Sequence, residues 1–298
     1  MKLLDVIIMG KGPSGISASL YTQRANLETL VIGREGSSLE RAGKIENYYG
    51  IEEAISGEKL LGIGERQAQK LGVQLLNEEV AGIAYIYEEK YFKVTTTTGE
   101  YNSRAILIAT GQPNKKINIE GIKEFEGKGV SYCTTCDGFF YRNMSVGILG
   151  NGAYAVHEAM ELEAFTKDIT LFTNGADLDV NGDLADKAGK FKINTQPILK
   201  LSGNDYLQEI HFKNGKSQKI DGLFVAYGTA SSVDFAKKLG VITENNAILV
   251  DNNQSTNVEG IFASGDCTGG LKQISTAVGQ GAVAGKSIIN FVRSLKDK

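Results

Sequence analysis

The sequence predicts an α/β protein of two doubly wound, Rossmann-like domains, the second inserted into the first. Three observations carry that expectation. An apolar run, a glycine-rich loop, a helical stretch and a second short apolar run follow one another over residues 4–32. The same order returns over residues 144–172. Near the other end, a strand-like Gly260-Ile261-Phe262-Ala263-Ser264 stops at Gly265-Asp266 and gives way to a small-residue helix, Gln273 to Val292. The two ends of the chain therefore read as one domain interrupted by the middle. The expected boundaries are 1–113 and 231–298 for the outer domain and 114–230 for the insert. The first break falls in the polar, proline-bearing Gln112-Pro113-Asn114-Lys115-Lys116.

Composition sets the class. A chain of 298 residues is too long for one small core and fits two domains. With 42% apolar and 22% charged residues it is globular, and a net charge of −3 gives no global case for nucleic acid or an anionic membrane. No apolar run approaches bilayer length, and Leu3–Met9 runs straight into glycine. Neither a membrane span nor a signal peptide is expected, and a reducing cytoplasm is the expected setting.

Leu4 to Met9 has the length and apolarity of a buried strand, followed by Gly10-Lys11-Gly12-Pro13-Ser14-Gly15, a helix over Ile16–Asn26 and a strand over Thr29–Ile32. Each glycine has a reason: one for the tight turn, one for backbone approach to a pyrophosphate, one for helix–strand packing. A phosphate on the helix N-terminus meets free N–H groups and the favourable end of the dipole. Glu35, about 20 residues after the last glycine, is the acid that a ribose hydroxyl needs. Glu58–Leu71 reads as a helix, Tyr85–Thr98 as β structure turning at Gly99, and Arg104–Ala109 as a buried strand ending at Thr110-Gly111. In the middle, Met144–Leu149 leads to Gly150-Asn151-Gly152-Ala153-Tyr154-Ala155, a helix with Ala155, Ala159 and Leu162 on one face, and a strand over Asp168–Phe172. Tyr206–Phe212 and Ser217–Ala226 flank Asn214-Gly215, a two-residue hairpin signal.

The stretch Ser131-Tyr132-Cys133-Thr134-Thr135-Cys136-Asp137-Gly138-Phe139-Phe140 carries the chemistry. Two thiols two residues apart can close a small disulfide, and the neighbouring carboxylate can pass protons to and from a thiolate. A structural zinc site takes four ligands, whereas the rest of the chain offers only Cys267, His157 and His211, in no second cluster. A redox dithiol is the better reading. Cys267 is read as a small buried hydrophobe, and the histidines as packing or surface residues rather than bases.

These residues bring out a resemblance that covers nearly the whole chain. The Gly10-to-Gly15 loop, Glu46-Asn47, Ala109-Thr110-Gly111, the run Gly127-Lys128-Gly129-Val130-Ser131-Tyr132-Cys133 through Phe140, and Gly265-Asp266 with Gln273 are similar in order and spacing to the low-molecular-weight thioredoxin reductases. That resemblance implies an FAD enzyme working as a homodimer. It implies FAD contacts at Gly10, Gly12, Pro13, Ser14, Gly15, Glu35, Asn47, Val80, Thr110, Gly111, Gly265, Asp266, Gln273 and Ile274. It further implies that Cys136 faces the flavin, Cys133 attacks the disulfide of thioredoxin, and Asp137 gives or takes the proton.

The middle domain departs from that family. Its place for the arginines that grip the 2′-phosphate of NADPH reads Leu171-Phe172-Thr173-Asn174-Gly175-Ala176-Asp177-Leu178-Asp179, with two aspartates, and no arginine stands between Arg142 and Arg293. Asn151 takes a glycine-like position, His157 replaces an acid, and Tyr154 is expected to put a ring against the pyrophosphate turn. NADPH is therefore not expected as donor, and the chain resembles the ferredoxin-dependent flavin thioredoxin reductases. Two alternatives stay open: an NADPH-dependent thioredoxin reductase with an atypical pocket, and a flavin dithiol redox sensor.

Overall fold

The structure, a computed structural model, describes residues 2–35, 37–111, 117–228 and 231–296. The expected break at 112–116 lies outside the described residues. The chain divides into two compact units, Met1–Asn114 with Ser231–Lys298, and Lys115–Ala230.

Along the chain the elements run β1 (Leu3–Met9), α1 (Pro13–Arg24), β2 (Thr29–Ile32), α2 (Gly57–Lys70), β3 (Gln74–Leu76), β4 (Val80–Ile86), β5 (Tyr91–Thr96) and β6 (Glu100–Ile108). Then come β7 (Val130–Ser131), α3 (Thr134–Asp137), β8 (Val146–Leu149), α4 (Ala153–Leu162), β9 (Ile169–Phe172), α5 (Asp183–Ala188) and β10 (Lys192–Asn194). The strands β11 (Ile198–Gly203), β12 (Leu207–Phe212), β13 (Ser217–Lys219) and β14 (Gly222–Val225) follow. The chain closes with α6 (Ser232–Lys238), β15 (Thr243–Glu244), β16 (Ala247–Ile248), β17 (Ile261–Ala263) and α7 (Ile274–Lys296).

In the outer unit β1 is central. Val6, Ile7, Ile8 and Met9 are fully buried, as a strand covered on both faces requires. It pairs in parallel with β2 on one side and β6 on the other. Strand β6 does two jobs along its length: its first half pairs antiparallel with β5 and its second half parallel with β17. That split explains its nine residues. Helix α7 presses against α1, and a Cβ on Gly281 would lie 2.2 Å from the Ser14 carbonyl oxygen. Glycine inside a helix costs about 1 kcal/mol; here it lets the C-terminal helix seat on the first turn of α1. That contact joins the two ends of the chain into one unit.

The insert repeats the plan in a five-stranded sheet, β10-β9-β8-β14-β7, parallel throughout. Beside it lies an antiparallel sheet, β11-β12-β13. Ala155, Ala159 and Leu162 of α4 are all fully buried, as their spacing predicts.

Two expectations are corrected. Helix α1 starts at Pro13 rather than Ile16, because proline at the first position needs no N–H partner, and the glycine loop becomes the helix's own first turn. It also ends earlier, before Asn26, whose φ is 59°. The single strand expected over Ser217–Ala226 is two strands in two sheets, β13 and β14. The chain breaks at Ile220-Asp221, where the Ile220 side chain turns into the core and the Asp221 N–H donates to the Ser145 carbonyl. Among the described residues no helix is long and apolar enough to cross a membrane.

Candidate active site

The dithiol sits in the insert. Strand β7 is an edge strand held by β14, and the chain turns after it so that Cys133 caps the N-terminus of α3. Cys133 and Cys136 form a disulfide, with their Cα atoms 5.3 Å apart. The Cys136 N–H points at Cys133 Sγ at 3.2 Å, an arrangement that favours the thiolate of Cys133 once the bond opens. Asp137 Oδ2 accepts from Ser131 Oγ at 2.6 Å, and Ser131 Oγ accepts from the Cys133 N–H at 3.1 Å. The carboxylate is thus tied to the turn that carries the sulfurs. Burial, with the charge of Asp137 as a second cause, pushes the Tyr141 phenol up. The two cysteines differ in access: Cys133 is 4% exposed, whereas Cys136 is exposed. The resemblance gives the attack on a partner to Cys133, yet the residue open to solvent here is Cys136.

In the outer unit the first glycine loop lies against Ala109-Thr110 and Gly265. Gly10 has φ +114°, and a Cβ there would lie 2.3 Å from the Ala109 carbonyl oxygen; on Gly15 it would lie 1.9 Å from that of Gly10. Those two glycines are needed by the protein itself. Gly12 is different, because a Cβ there would meet nothing within 4 Å. An open backbone at the N-cap of α1 is the cradle a pyrophosphate requires, so the loop fits a dinucleotide. Asn47 Nδ2 donates to Gln273 Oε1 at 3.1 Å, joining two of the expected residues across 226 positions. Ser14 and Ser264 share a hydrogen bond of 2.6 Å, which seats the Gly265-Asp266 turn beside the loop. Glu35 is exposed and accepts from Asn77 at 3.3 Å. Thr110, at the end of β6, is exposed, Gly111 follows it, and Ile274 opens α7. Val80 is buried at the start of β4, paired with Thr96.

Sequence reading missed Ser264 and Gln280. Gln280 Oε1 accepts from the Gly265 N–H at 2.9 Å and so fixes the turn before Asp266. It lies seven residues after Gln273, two helical turns along one face, and that spacing was the available signal.

The second glycine loop is built on the same plan and ends differently. The Gly150 N–H donates to the Phe172 carbonyl at 2.9 Å, matching the bond from Gly10 to Ile32 at 2.7 Å. Tyr154 is only 2% exposed, so its ring is enclosed by protein instead of standing open at the turn. The tie across this loop comes from elsewhere. Asn151 Nδ2 donates to the Asp177 carbonyl at 3.0 Å, and the Asp179 N–H donates to the Asn151 carbonyl at 2.7 Å. These bonds join the loops that leave the C-terminal ends of the neighbouring strands β8 and β9.

Cys267 is fully buried, its S–H directed at the carbonyls of Ile108 and Ser264, and burial pushes its thiol up to about 12. It stays a protonated thiol. His211 Nε2 lies 2.6 Å from Ser202 Oγ and 3.5 Å from Glu209 Oε2. Both contacts fall on the same ring nitrogen, whereas a hydrolytic triad uses one partner on each.

The family described as pyridine nucleotide-disulphide oxidoreductase matches residues 4–281. The chain is 34% identical over 314 residues to the thioredoxin reductase of Bacillus subtilis (strain 168), spanning 99% of this chain and 97% of the relative. Among solved structures it is similar to the atypical thioredoxin reductase TRi from Desulfovibrio vulgaris Hildenborough, with a TM-score of 0.93, 38% identity and 98% of both chains covered. A ferredoxin-flavin thioredoxin reductase from Clostridium acetobutylicum gives a TM-score of 0.68 at 27% identity, with 99% of both chains covered.

Proposed function

The chain belongs to the thioredoxin reductases of the pyridine nucleotide-disulphide oxidoreductase family, and from that premise we propose that it reduces thioredoxin through Cys133 and Cys136 with electrons that reach its flavin from ferredoxin. The observation that carries the reading is the Cys133–Cys136 disulfide on a turn that orients Asp137. FAD, held by the Gly10-to-Gly15 loop with Glu35, Asn47, Thr110, Asp266 and Gln273, would take electrons singly and release them in pairs. Opening the disulfide takes up two electrons and two protons, and in this reading Asp137, bonded to Ser131 of the same turn, handles a proton. The Cys133 thiolate attacks one sulfur of the thioredoxin disulfide and forms a mixed disulfide. The Cys136 thiolate then displaces it, closing the Cys133–Cys136 bond and releasing thioredoxin as dithiol. Since Cys133 is 4% exposed, this order requires that the turn be uncovered before attack. Phe139 and Phe140, exposed beside the dithiol, offer an apolar landing for the partner.

Two features support a donor other than NADPH. The place for phosphate-binding arginines carries Asp177 and Asp179, and the backbone of that segment is bonded to Asn151 of the glycine loop. Energetics allow the alternative donor. A ferredoxin near −400 mV working on thioredoxin near −270 mV leaves about 130 mV, on the order of 6 kcal/mol for two electrons. The name of the Clostridium acetobutylicum neighbour points the same way, while relatives named simply thioredoxin reductase favour the NADPH reading. The proposal carries with it a homodimer at work in the cytoplasm.

Anaerobic flavin bleaching separates the two donors. Reduced ferredoxin should bleach the flavin and drive thioredoxin turnover, and NADPH should do neither. Prompt bleaching by micromolar NADPH would overturn the donor. A Cys133→Ser, Cys136→Ser double variant that still turned over thioredoxin would overturn the dithiol.

A further inference from the structure

Thr134 lies between the two cysteines and is fully buried. Its Oγ is 2.5 Å from Glu158 Oε2 and 2.7 Å from Glu161 Oε2. Two oxygen–oxygen contacts of this length each need a proton, and a threonine hydroxyl has one. The other proton must sit on a carboxyl. Each of these oxygens has a further donor, the Thr134 N–H at 3.4 Å for Glu158 and Thr135 Oγ at 3.1 Å for Glu161, so the one proton belongs to the pair. Glu158 is 2% exposed, where two bare carboxylates on one hydroxyl would repel strongly.

The geometry points to Glu158 and Glu161 as positioning residues of the dithiol: a carboxyl pair that shares one proton through Thr134 and keeps one negative charge directly behind the Cys-x-x-Cys turn. That charge opposes thiolate formation at Cys133, against the Cys136 N–H that favours it. A dithiol whose thiolate is disfavoured is a better reductant, because the reduced state is the one destabilised. Helix α4 packs against α3, α5, β8 and β9. The titratable groups these bring are Asp137 and the cysteines on α3, and Asp183, Asp186 and Lys187 on α5, while β8 and β9 bring none. Asp183 and Lys187 are paired with each other at 2.7 Å. On α4 itself His157 adjoins Glu158.

The inference rests on the dithiol being redox-active and is independent of the donor, so it is tested on flavin-loaded protein reduced with dithiothreitol. Infrared spectroscopy of the native protein at neutral pH should show a protonated-carboxyl stretch that disappears in Glu158→Gln and in Glu161→Gln, each of which removes the charge that holds the proton, and persists in Thr134→Ser. In Glu158→Gln, Glu161→Gln the charge is gone, and iodoacetamide should alkylate the dithiol about tenfold faster at neutral pH, the effect of about one unit in thiol pKa. The equilibrium with dithiothreitol should move toward the reduced protein by a similar factor. No carboxyl band in the native protein, a band that survives in either single variant, or native alkylation kinetics in a double variant with normal flavin absorbance would overturn the assignment. If the double variant does not fold, the infrared comparison decides alone. Failure of ferredoxin to drive turnover would leave all these readouts untouched.

Discussion

The two glycine loops make an internal experiment. Both follow a parallel strand whose last four residues are buried, both open a helix, and both bond the first glycine to the end of the neighbouring strand. They part at what lies across the loop. In the outer unit the backbone at Gly12 is open and the acid after the second strand, Glu35, is exposed. In the insert the matching segment is bonded onto Asn151 by a side-chain and a backbone hydrogen bond. The difference teaches that a glycine motif has two separable layers. Some glycines answer to the fold, and one, Gly12, leaves its backbone open.

Substitutions can break or sharpen that contrast. The largest effect belongs to Gly15→Ala, whose Cβ would lie 1.9 Å from the Gly10 carbonyl oxygen. It should cost about 3 kcal/mol in denaturant melts and abolish visible flavin absorbance. The insert already has Ala155 at that place, so a Gly15→Ala protein that kept its flavin would erase the distinction. Gly12→Ala is more telling. Nothing stands within 4 Å of the new methyl group, so apoprotein stability should stay within about 0.5 kcal/mol of native. Flavin affinity should nevertheless fall by about tenfold, the order of one lost charge-assisted contact. Gly152→Ala, with its nearest atom 3.7 Å away, should change neither stability nor turnover.

Asn151→Ala removes the bond to Asp177 and should cost about 1 kcal/mol in the insert's stability, without making NADPH a donor. Bleaching of that variant by NADPH would show that the latch is the sole obstacle. The smallest effect is in acid, where the two units contribute opposite signs. Asp168 in the insert is held below the usual carboxylate range by its hydrogen bond from Lys192. Its contribution, about a few tenths of a kcal/mol for so exposed a pair, is present above the unfolded carboxylate pKa and is lost as pH falls through the folded one. Burial raises Asp234 in the outer unit. Its contribution is complete below the unfolded pKa and is lost as pH rises through the raised value. Melts of Asp168→Asn against native should converge on acidification.

Much of the site was legible because its parts are local. Gly10 to Gly15, Cys133 to Asp137 and Gly265-Asp266 are contiguous strings whose chemistry follows from spacing. Ser264 and Gln280 escaped because each acts on a residue distant in sequence. The split of 217–226 into two strands escaped because the whole segment is β-compatible, and only the two sheets decide where it divides.

The sequence by itself determined the repeated strand–glycine–helix units, the dithiol and the lack of arginine between Arg142 and Arg293, since all three are matters of residue type and short spacing. Tertiary structure alone decided that Asn151 fastens the segment after β9, that Cys133 is covered while Cys136 is open, and that two glutamates on α4 meet one threonine hydroxyl. The reason is physical: periodicity reports which face of an element is apolar, but a hydrogen bond between elements depends on how those faces are stacked, and no local pattern encodes that distance.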